Sequence, residues 1–307
     1  MIAISHKAKQ FFLVTVKLLI VSGAIYYIYW HFSGDKKIDF NQIKGYLNLK
    51  TILILTLFSC ANWILEIFKW RHLVSSFNET SFFKAMEQSL GSLTASIFTP
   101  NRIGEYGAKA LYFPKENTKQ VVLLNFIGNS SQMVITTVFG VVGFSLIGFN
   151  LFQFVSVWMI FGSIIVGILA IYLFRNIEIY GFSIKKLIQK IGSFSNKFHL
   201  KNLLFSTFRY LVFSFQFLLL LLIFEIDLDL DIALGTIFTM YFLASIIPTI
   251  HFLDVAVKGS VALFLFSQLG VEDWKIAAII SIMWIFNLVL PLLVGSVFVL
   301  NYKPLRK

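Results

Sequence analysis

Ala95-Ser96-Ile97-Phe98-Thr99-Pro100-Asn101-Arg102-Ile103-Gly104-Glu105-Tyr106-Gly107-Ala108-Lys109-Ala110 has a counterpart later in the chain, and the two stretches together decide the architecture. The counterpart reads Ala244-Ser245-Ile246-Ile247-Pro248-Thr249-Ile250-His251-Phe252-Leu253-Asp254-Val255-Ala256-Val257-Lys258-Gly259. Both carry Ala-Ser-Ile, then Pro, then a basic or potentially basic residue, an acid three later and Lys four after that. Arg102, Glu105 and Lys109 thus match His251, Asp254 and Lys258 in spacing. Offsets of three and four place each triad on one helix face. Each lies inside a long apolar stretch, 82–113 and 232–268, with room for two short helices meeting at a break. Irregular backbone and charge at membrane depth are tolerated only where they line a protein cavity or water. The spacing therefore predicts two re-entrant helical hairpins, broken at Thr99, Pro100 and Gly104 in the first and at Pro248 in the second.

The rest of the chain supplies the membrane. Hydrophobic residues make up 58% of 307, charged residues 13%, and mean hydropathy is +0.81. A soluble domain carries about 25% charged residues. Runs near the roughly 20 residues that cross about 30 Å of hydrocarbon recur at 11–32, 51–68, 119–147, 151–174, 202–224 and 273–300. The expected fold is an all-α polytopic membrane protein of six transmembrane helices plus the two hairpins, as a single integral domain over 1–307. His6, Lys7 and Lys9 precede the first run, as in a signal peptide. Phe11 to Phe32 is too long for an h-region, so it reads as a retained span. Cys60 is the single cysteine, which excludes an internal disulfide and leaves the redox compartment open.

Basic residues set the orientation. With the N-terminus inside, segments 1–10, 69–84, 101–119, 175–201 and 301–307 hold eighteen Lys and Arg, against five in the outside segments. The expectation is an inner-membrane protein with both termini cytoplasmic. The net charge of +11 belongs to these loops and does not point to nucleic acid. Each half then contains three crossings and one hairpin, 1–147 and 148–307. An odd number of crossings makes the second half inverted, the plan of many transporters.

Each triad offers two cationic donors and a carboxylate to balance them. Thr99 followed by Pro100 suits an N-cap and first helical position, with Arg102 at the third. Such a helix start, with a guanidinium, fits phosphate, which Arg meets with two parallel donors. The expected phosphate ligands are Arg102, Lys109, His251 and Lys258, with Glu105 and Asp254 balancing charge. A solvated cytoplasmic helix would carry the same acid-to-Lys spacing, contributing only about 0.3–0.5 kcal/mol. The first triad alone leaves both readings open. Asp254 and Lys258 lie in an otherwise uncharged run, where an ion pair is a functional hypothesis by default. Asn125, Asn129 and Gln132 share a face of the third span, and Asn287 precedes Pro291 in the last. These residues serve equally as glue between helices. Glu66 and Arg209 are secondary candidates, able to neutralise a hairpin charge.

Enzyme signatures are scarce. His6, His31, His72, His199 and His251 show no metal-ligand spacing, no Gly-rich phosphate loop follows a strand, and no nucleophile elbow occurs. The expectation is a non-enzyme with no cofactor and no metal. Lys185, Lys186, Lys190, Lys197 and Lys201, alternating with apolar residues, read as an amphipathic surface helix or as an ordinary positive-inside loop.

Thr99-Pro100-Asn101-Arg102-Ile103-Gly104-Glu105 resembles the Pro-Gly-Arg-Ile/Leu-Gly-Glu signature of the lysylphosphatidylglycerol synthase transmembrane region. That flippase-like family includes the membrane half of multiple-peptide-resistance proteins. Asn101 stands where the family has Gly. Pro248 and Asp254 fit its second motif, without the paired glycines. The resemblance implies movement of an anionic lipid between leaflets, either a phospholipid or a polyprenyl-phosphate-linked lipid. The aminoacyl-transferase half of the larger members has no counterpart in these 307 residues, so lysyl-lipid synthesis is not expected. The implied partner is a membrane lipid with an anionic headgroup. The alternatives are a non-transporting membrane subunit supporting a glycosyltransferase or lipid-modifying enzyme, and a small-solute transporter.

The layout is testable with an impermeant thiol reagent in a Cys60-free background. Ser33→Cys and Asn150→Cys are expected to label from outside, and Ser193→Cys and Lys307→Cys only after permeabilisation. Labelling of Ser193→Cys in intact cells would overturn the layout.

Overall fold

Asn48 opens the first long helix by accepting a hydrogen bond from Thr51 N at 2.9 Å, satisfying one of the four donors that any helix start leaves over. In the computed structural model the described residues are 43–99, 103–148, 184–247 and 254–303, with Thr15 singly. Apart from Thr15, expected spans 11–32 and 151–174 lie outside them, as do Pro100, Arg102, Pro248 and His251. The helices are α1 (Leu49–Val74), α2 (Phe82–Ala95), α3 (Ile103–Ala110), α4 (Thr118–Ile147), α5 (Ile184–Gly192), α6 (Asn196–Ile223), α7 (Leu230–Ile246) and α8 (Asp254–Ser267). A last long span follows: α9 (Asp273–Trp284), a π-helical turn (Ile285–Val289) and α10 (Leu290–Asn301). Among the described residues there is no strand.

Four helical stretches are long and apolar enough to cross a membrane: Leu49–Val74, Lys115–Ile147, Asn196–Ile223 and Asp273–Asn301. At 1.5 Å per residue the first is about 39 Å long, ample for a bilayer core of about 30 Å. Their outward faces carry large exposed apolar side chains, such as Val134, Val138 and Val141 on α4 and Phe208, Phe215 and Leu222 on α6. Bare apolar faces of this extent are tolerated in lipid and not in water. The protein is an integral membrane protein.

The stretches 82–113 and 232–268 each fold as two short helices, α2 with α3 and α7 with α8, and the members of each pair pack together. At 14 and 8 residues, α2 and α3 are about 21 and 12 Å long, short of a crossing. Helix α2 ends at Ala95, ahead of Pro100, and α7 at Ile246, ahead of Pro248. Thr99 does cap the helix after it, but its Oγ1 accepts from Gly104 N at 3.0 Å, five residues on. An N-cap normally serves the second or third helical residue. The described part of that helix begins at Ile103.

Two lysines counted with the cytoplasmic loops need correction. Helix α1 extends six residues beyond the expected end at 68, so Lys69 is buried in the bundle and is not a loop charge. Lys109 is buried as well. Without these two the basic split is sixteen against five.

Helix α4 packs most extensively against α7, and α2 lies along α10. Glycine makes both possible. A Cβ on Gly143 of α4 would lie 2.7 Å from the Gly235 carbonyl oxygen of α7, and one on Gly295 of α10 would meet the Leu90 carbonyl of α2. Small residues let helix backbones approach closely in a membrane, where lipid removes the hydrophobic drive between helices. Other pairings are α1 with α6, α3 with α4, and α8 with α9. Exchanging 1–147 for 148–307 turns each of these pairings into another of them, or into itself.

Gly143→Leu is expected to lower folded yield and thermal stability in detergent by the equivalent of about 1–3 kcal/mol or more, the cost of overpacking. Gly107→Ala, where an added Cβ meets open space, is expected to be neutral or mildly stabilising. Thermal melts followed by size-exclusion chromatography compare the two.

Candidate functional site

One face of α1 carries Ser59, Asn62, Trp63, Glu66, Lys69 and Trp70, all buried. Their spacing of three and four residues makes a single stripe. Its upper part grips the π turn of the last span. Pro291 has no N–H, so it cannot serve the carbonyl four residues back, Asn287, or the one five back, Phe286. Two α1 side chains supply donors instead: Ser59 Oγ to Phe286 O, and Trp63 Nε1 to Asn287 O at 3.1 Å. The Asn287 side chain accepts from Asn62 Nδ2 at 3.0 Å and donates to Gln216 Oε1 of α6 at 2.8 Å. Three long spans thus meet at one asparagine.

The lower part of the stripe holds charge. Glu66 pairs with Lys69 at 2.7 Å and with Arg209 of α6 at 2.8 Å. Arg209 Nε also donates to Asn62 Oδ1 at 3.0 Å, and its guanidinium lies 5.8 Å from the Trp63 ring centre. Lys109 of α3 pairs with Glu105 at 2.7 Å and donates to Asn125 Oδ1 of α4 at 2.8 Å. Its ammonium sits 4.2 Å from the ring centre of Trp70, whose indole donates to Gln88 of α2. In their ordinary charge states these five ionisable groups carry three positive charges and two negative.

Between these elements lies a cavity of about 500 Å³. Arg209 and Lys258 bring cations to its wall, and Asn62, Asn129, Gln132 and Asn287 bring amides. Tyr106 comes from the first short-helix pair, and Ser245 to Ile247 from the end of α7. Gln132 Nε2 reaches Ser206 O at 3.5 Å, whereas its Oε1 is buried without a hydrogen-bond partner.

The structure sorts the expected residues into three places. Lys258, Arg209, Asn129 and Asn287 line the cavity, with Glu66 behind Arg209. Lys109 and Glu105 are locked together in protein, away from the cavity wall, so Lys109 is held by its own carboxylate. Arg102 and His251 lie outside the described residues, and of Asp254 only its position at the start of α8 is described. Asn62, Tyr106, Tyr241 and Trp284 also line the cavity, as does Gln132, which its sequence reads as glue. A polar residue at 62, one turn before Glu66 in an apolar run, was the available signal for the first of them.

Beyond the last span, at the chain's far end, Tyr302 OH donates to Leu111 O at 2.7 Å and its ring meets Tyr112 edge-on. Burial first, and the Glu87 carboxylate second, raise the pKa of both phenols. Both therefore remain neutral hydrogen-bonding groups at physiological pH.

The family model for the lysylphosphatidylglycerol synthase TM region matches residues 14–295. The chain belongs to that family. No curated protein and no solved structure gives a significant match. The lysylphosphatidylglycerol synthase TM region is a membrane domain linked to lipid modification or flipping. The match covers both short-helix pairs and every residue that lines the cavity.

Glu66→Gln leaves Lys69 and Arg209 without their shared carboxylate and is expected to destabilise the protein by about 3–5 kcal/mol, the usual cost of breaking a buried pair. Lys69→Met added to Glu66→Gln removes one stranded charge and is expected to recover part of that loss. A double-mutant cycle on thermal stability in detergent reads the coupling.

Proposed function

We propose that this protein moves an anionic lipid between leaflets, holding the headgroup in the central cavity while the acyl or polyprenyl tails stay in the bilayer. The observation that carries this reading is the pair of cations, Arg209 and Lys258, on the wall of a cavity within a lipid-facing bundle. Charge at such depth is costly and needs a partner. Glu66 is shared between Lys69 and Arg209, and an anion entering the cavity would meet the Arg209 side chain on its wall. Arg209 would meet phosphate through its planar fork and Lys258 as a point charge.

The short-helix pairs are re-entrant in this proposal, and the halves 1–147 and 148–307 form an inverted repeat. Support comes from the matched triads and from packing partners that interchange with the halves. Both termini lie on the cytoplasmic side of the inner membrane, the side with the basic loops. The protein makes and breaks no covalent bond. Its work is to shelter a charged headgroup from hydrocarbon.

The test is transfer of fluorescent phosphatidylglycerol in proteoliposomes, read by bleaching of the outer leaflet. Losing one charged hydrogen bond costs about 1.5–3 kcal/mol. Lys258→Gln and Arg209→Lys are therefore expected to slow transfer roughly tenfold or more. Wild-type rates in both variants, with unchanged elution and melting temperature, would overturn the proposal.

A further inference from the structure

The corner where α5 meets α6 takes no part in the cavity. We infer that it is a separate lipid contact, in which α5 lies in the membrane surface and the lysines around it bind anionic phospholipid headgroups of the leaflet where α6 begins. That leaflet is the cytoplasmic one under the orientation proposed above; the contact itself does not depend on translocation.

The lysines from 185 to 201 fit either a surface helix or an ordinary basic loop by sequence, and the fold decides between them. Residues Ile184–Gly192 are helical. At about 100° per residue, Ile184, Leu187, Ile188 and Ile191 fall within one arc of about 100°, and Lys185, Lys186, Gln189 and Lys190 take the opposite side. One edge of the apolar arc is docked on the protein. Ile191 and Phe194 pack against the cluster that contains Trp70 and Phe198, and Phe194 stacks on Phe198 with ring centres 4.5 Å apart. His199 Nε2 donates to Ile191 O at 3.1 Å, tying the last turn of α5 to the first of α6. Ser193 Oγ donates to Lys190 O, and Ser195 caps α6 by accepting from Phe198 N. So anchored, the helix leaves Ile188, at the other edge of the arc, 54% exposed.

Depth and charge then name the neighbour. Helix α6 has 28 residues and is about 42 Å long, about 12 Å more than the hydrocarbon core. Its far end is apolar through Ile223, so the excess falls at Lys197 and Lys201, beside α5. From Leu200 onward α6 turns large apolar side chains outward, Leu204 and Phe208 next, so lipid begins within two turns of the corner. An exposed isoleucine there sinks toward the acyl chains while lysine stems carry their charges up to the phosphates. Lys185, Lys190, Lys197 and Lys201 are all exposed, and no Asp or Glu occurs from 184 to 224. Such a segment complements anionic lipid, each lysine near the surface raising association about fivefold. An acidic soluble partner would meet the lysines but leave Ile188 without an apolar neighbour.

Two measurements on the full chain in nanodiscs test the contact. Spin labels at Ile188→Cys and Gln189→Cys, in a Cys60→Ser background and phosphatidylglycerol discs, report depth. The label at 188 is expected about 5–10 Å below the phosphates, reached by oxygen and shielded from a water-soluble nickel complex, and the label at 189 the reverse. Native mass spectrometry of protein released from discs of equal phosphatidylglycerol and phosphatidylcholine reports charge selectivity. The wild type is expected to retain phosphatidylglycerol preferentially. The combined Lys185→Gln, Lys190→Gln, Lys197→Gln and Lys201→Gln variant is expected to lose roughly half of it or more. Free access of the nickel complex to position 188 would overturn the inference, as would unchanged phosphatidylglycerol retention in the folded lysine variant. The depth measurement alters no charge and stays decisive if that variant fails to fold. Neither reading touches Arg209 or Lys258, so failure here leaves translocation standing, and failure of transfer leaves this contact standing.

Discussion

Glu66 is the carboxylate on which the arrangement of the long spans depends. In water its two ion pairs would contribute little. Inside a bundle surrounded by lipid, Lys69 and Arg209 cannot be left without a counter-charge, and the helices bearing them must sit where one carboxylate reaches both. That condition fixes α1 against α6. Asn62 on the same stripe then has Arg209 on one side and Asn287 on the other, so the position of the last span follows from the same constraint. The cavity is the space left when these polar contacts are made and the small-residue contacts of α4 with α7 and α2 with α10 close the bundle around them.

Much of the fold was legible from hydropathy and proline. The four described spans fall where the apolar runs predict them, and α7 ends at Ile246 with its cap Ile247 extended, the conformation favoured before a proline. The site was less legible, and for a physical reason. Spacing of three and four tells which side chains share a face but not which way that face turns. Glu105 and Lys109 do share one, and it turns toward Asn125 and Trp70, partners on other helices that no local pattern reveals. Lys258, in the matching position of the second stretch, reaches the cavity. Lys69 was assigned to a loop because the apolar run ends at Phe68; its helix continues because Glu66 makes a buried lysine tolerable.

The division of labour among the charges follows from burial. Lys109 and Glu105 tie α3 to α4 and satisfy each other, a structural use of an ion pair. Arg209 belongs to both worlds, held by Glu66 and Asn62 at its back while its side chain contributes to the cavity wall. A ligand that engages Arg209 therefore acts on a residue already bonded to α1, and through Asn62 on the last span. Headgroup binding and the packing of three spans share the same few hydrogen bonds.

The π turn at Ile285–Val289 has a geometric consequence of its own. A wide turn holds one residue more than an α-helical turn, and one residue corresponds to about 100° of rotation. The segment after it is therefore out of phase with the segment before it. Met283 and Asn287 can point to the cavity while Gly295, two turns further on, meets the backbone of α2. In a continuous α-helix the same residues after Val289 would face about 100° away from their heading here. The inserted residue lets a single crossing keep two headings, and Ser59 and Trp63 hold the step between them in place.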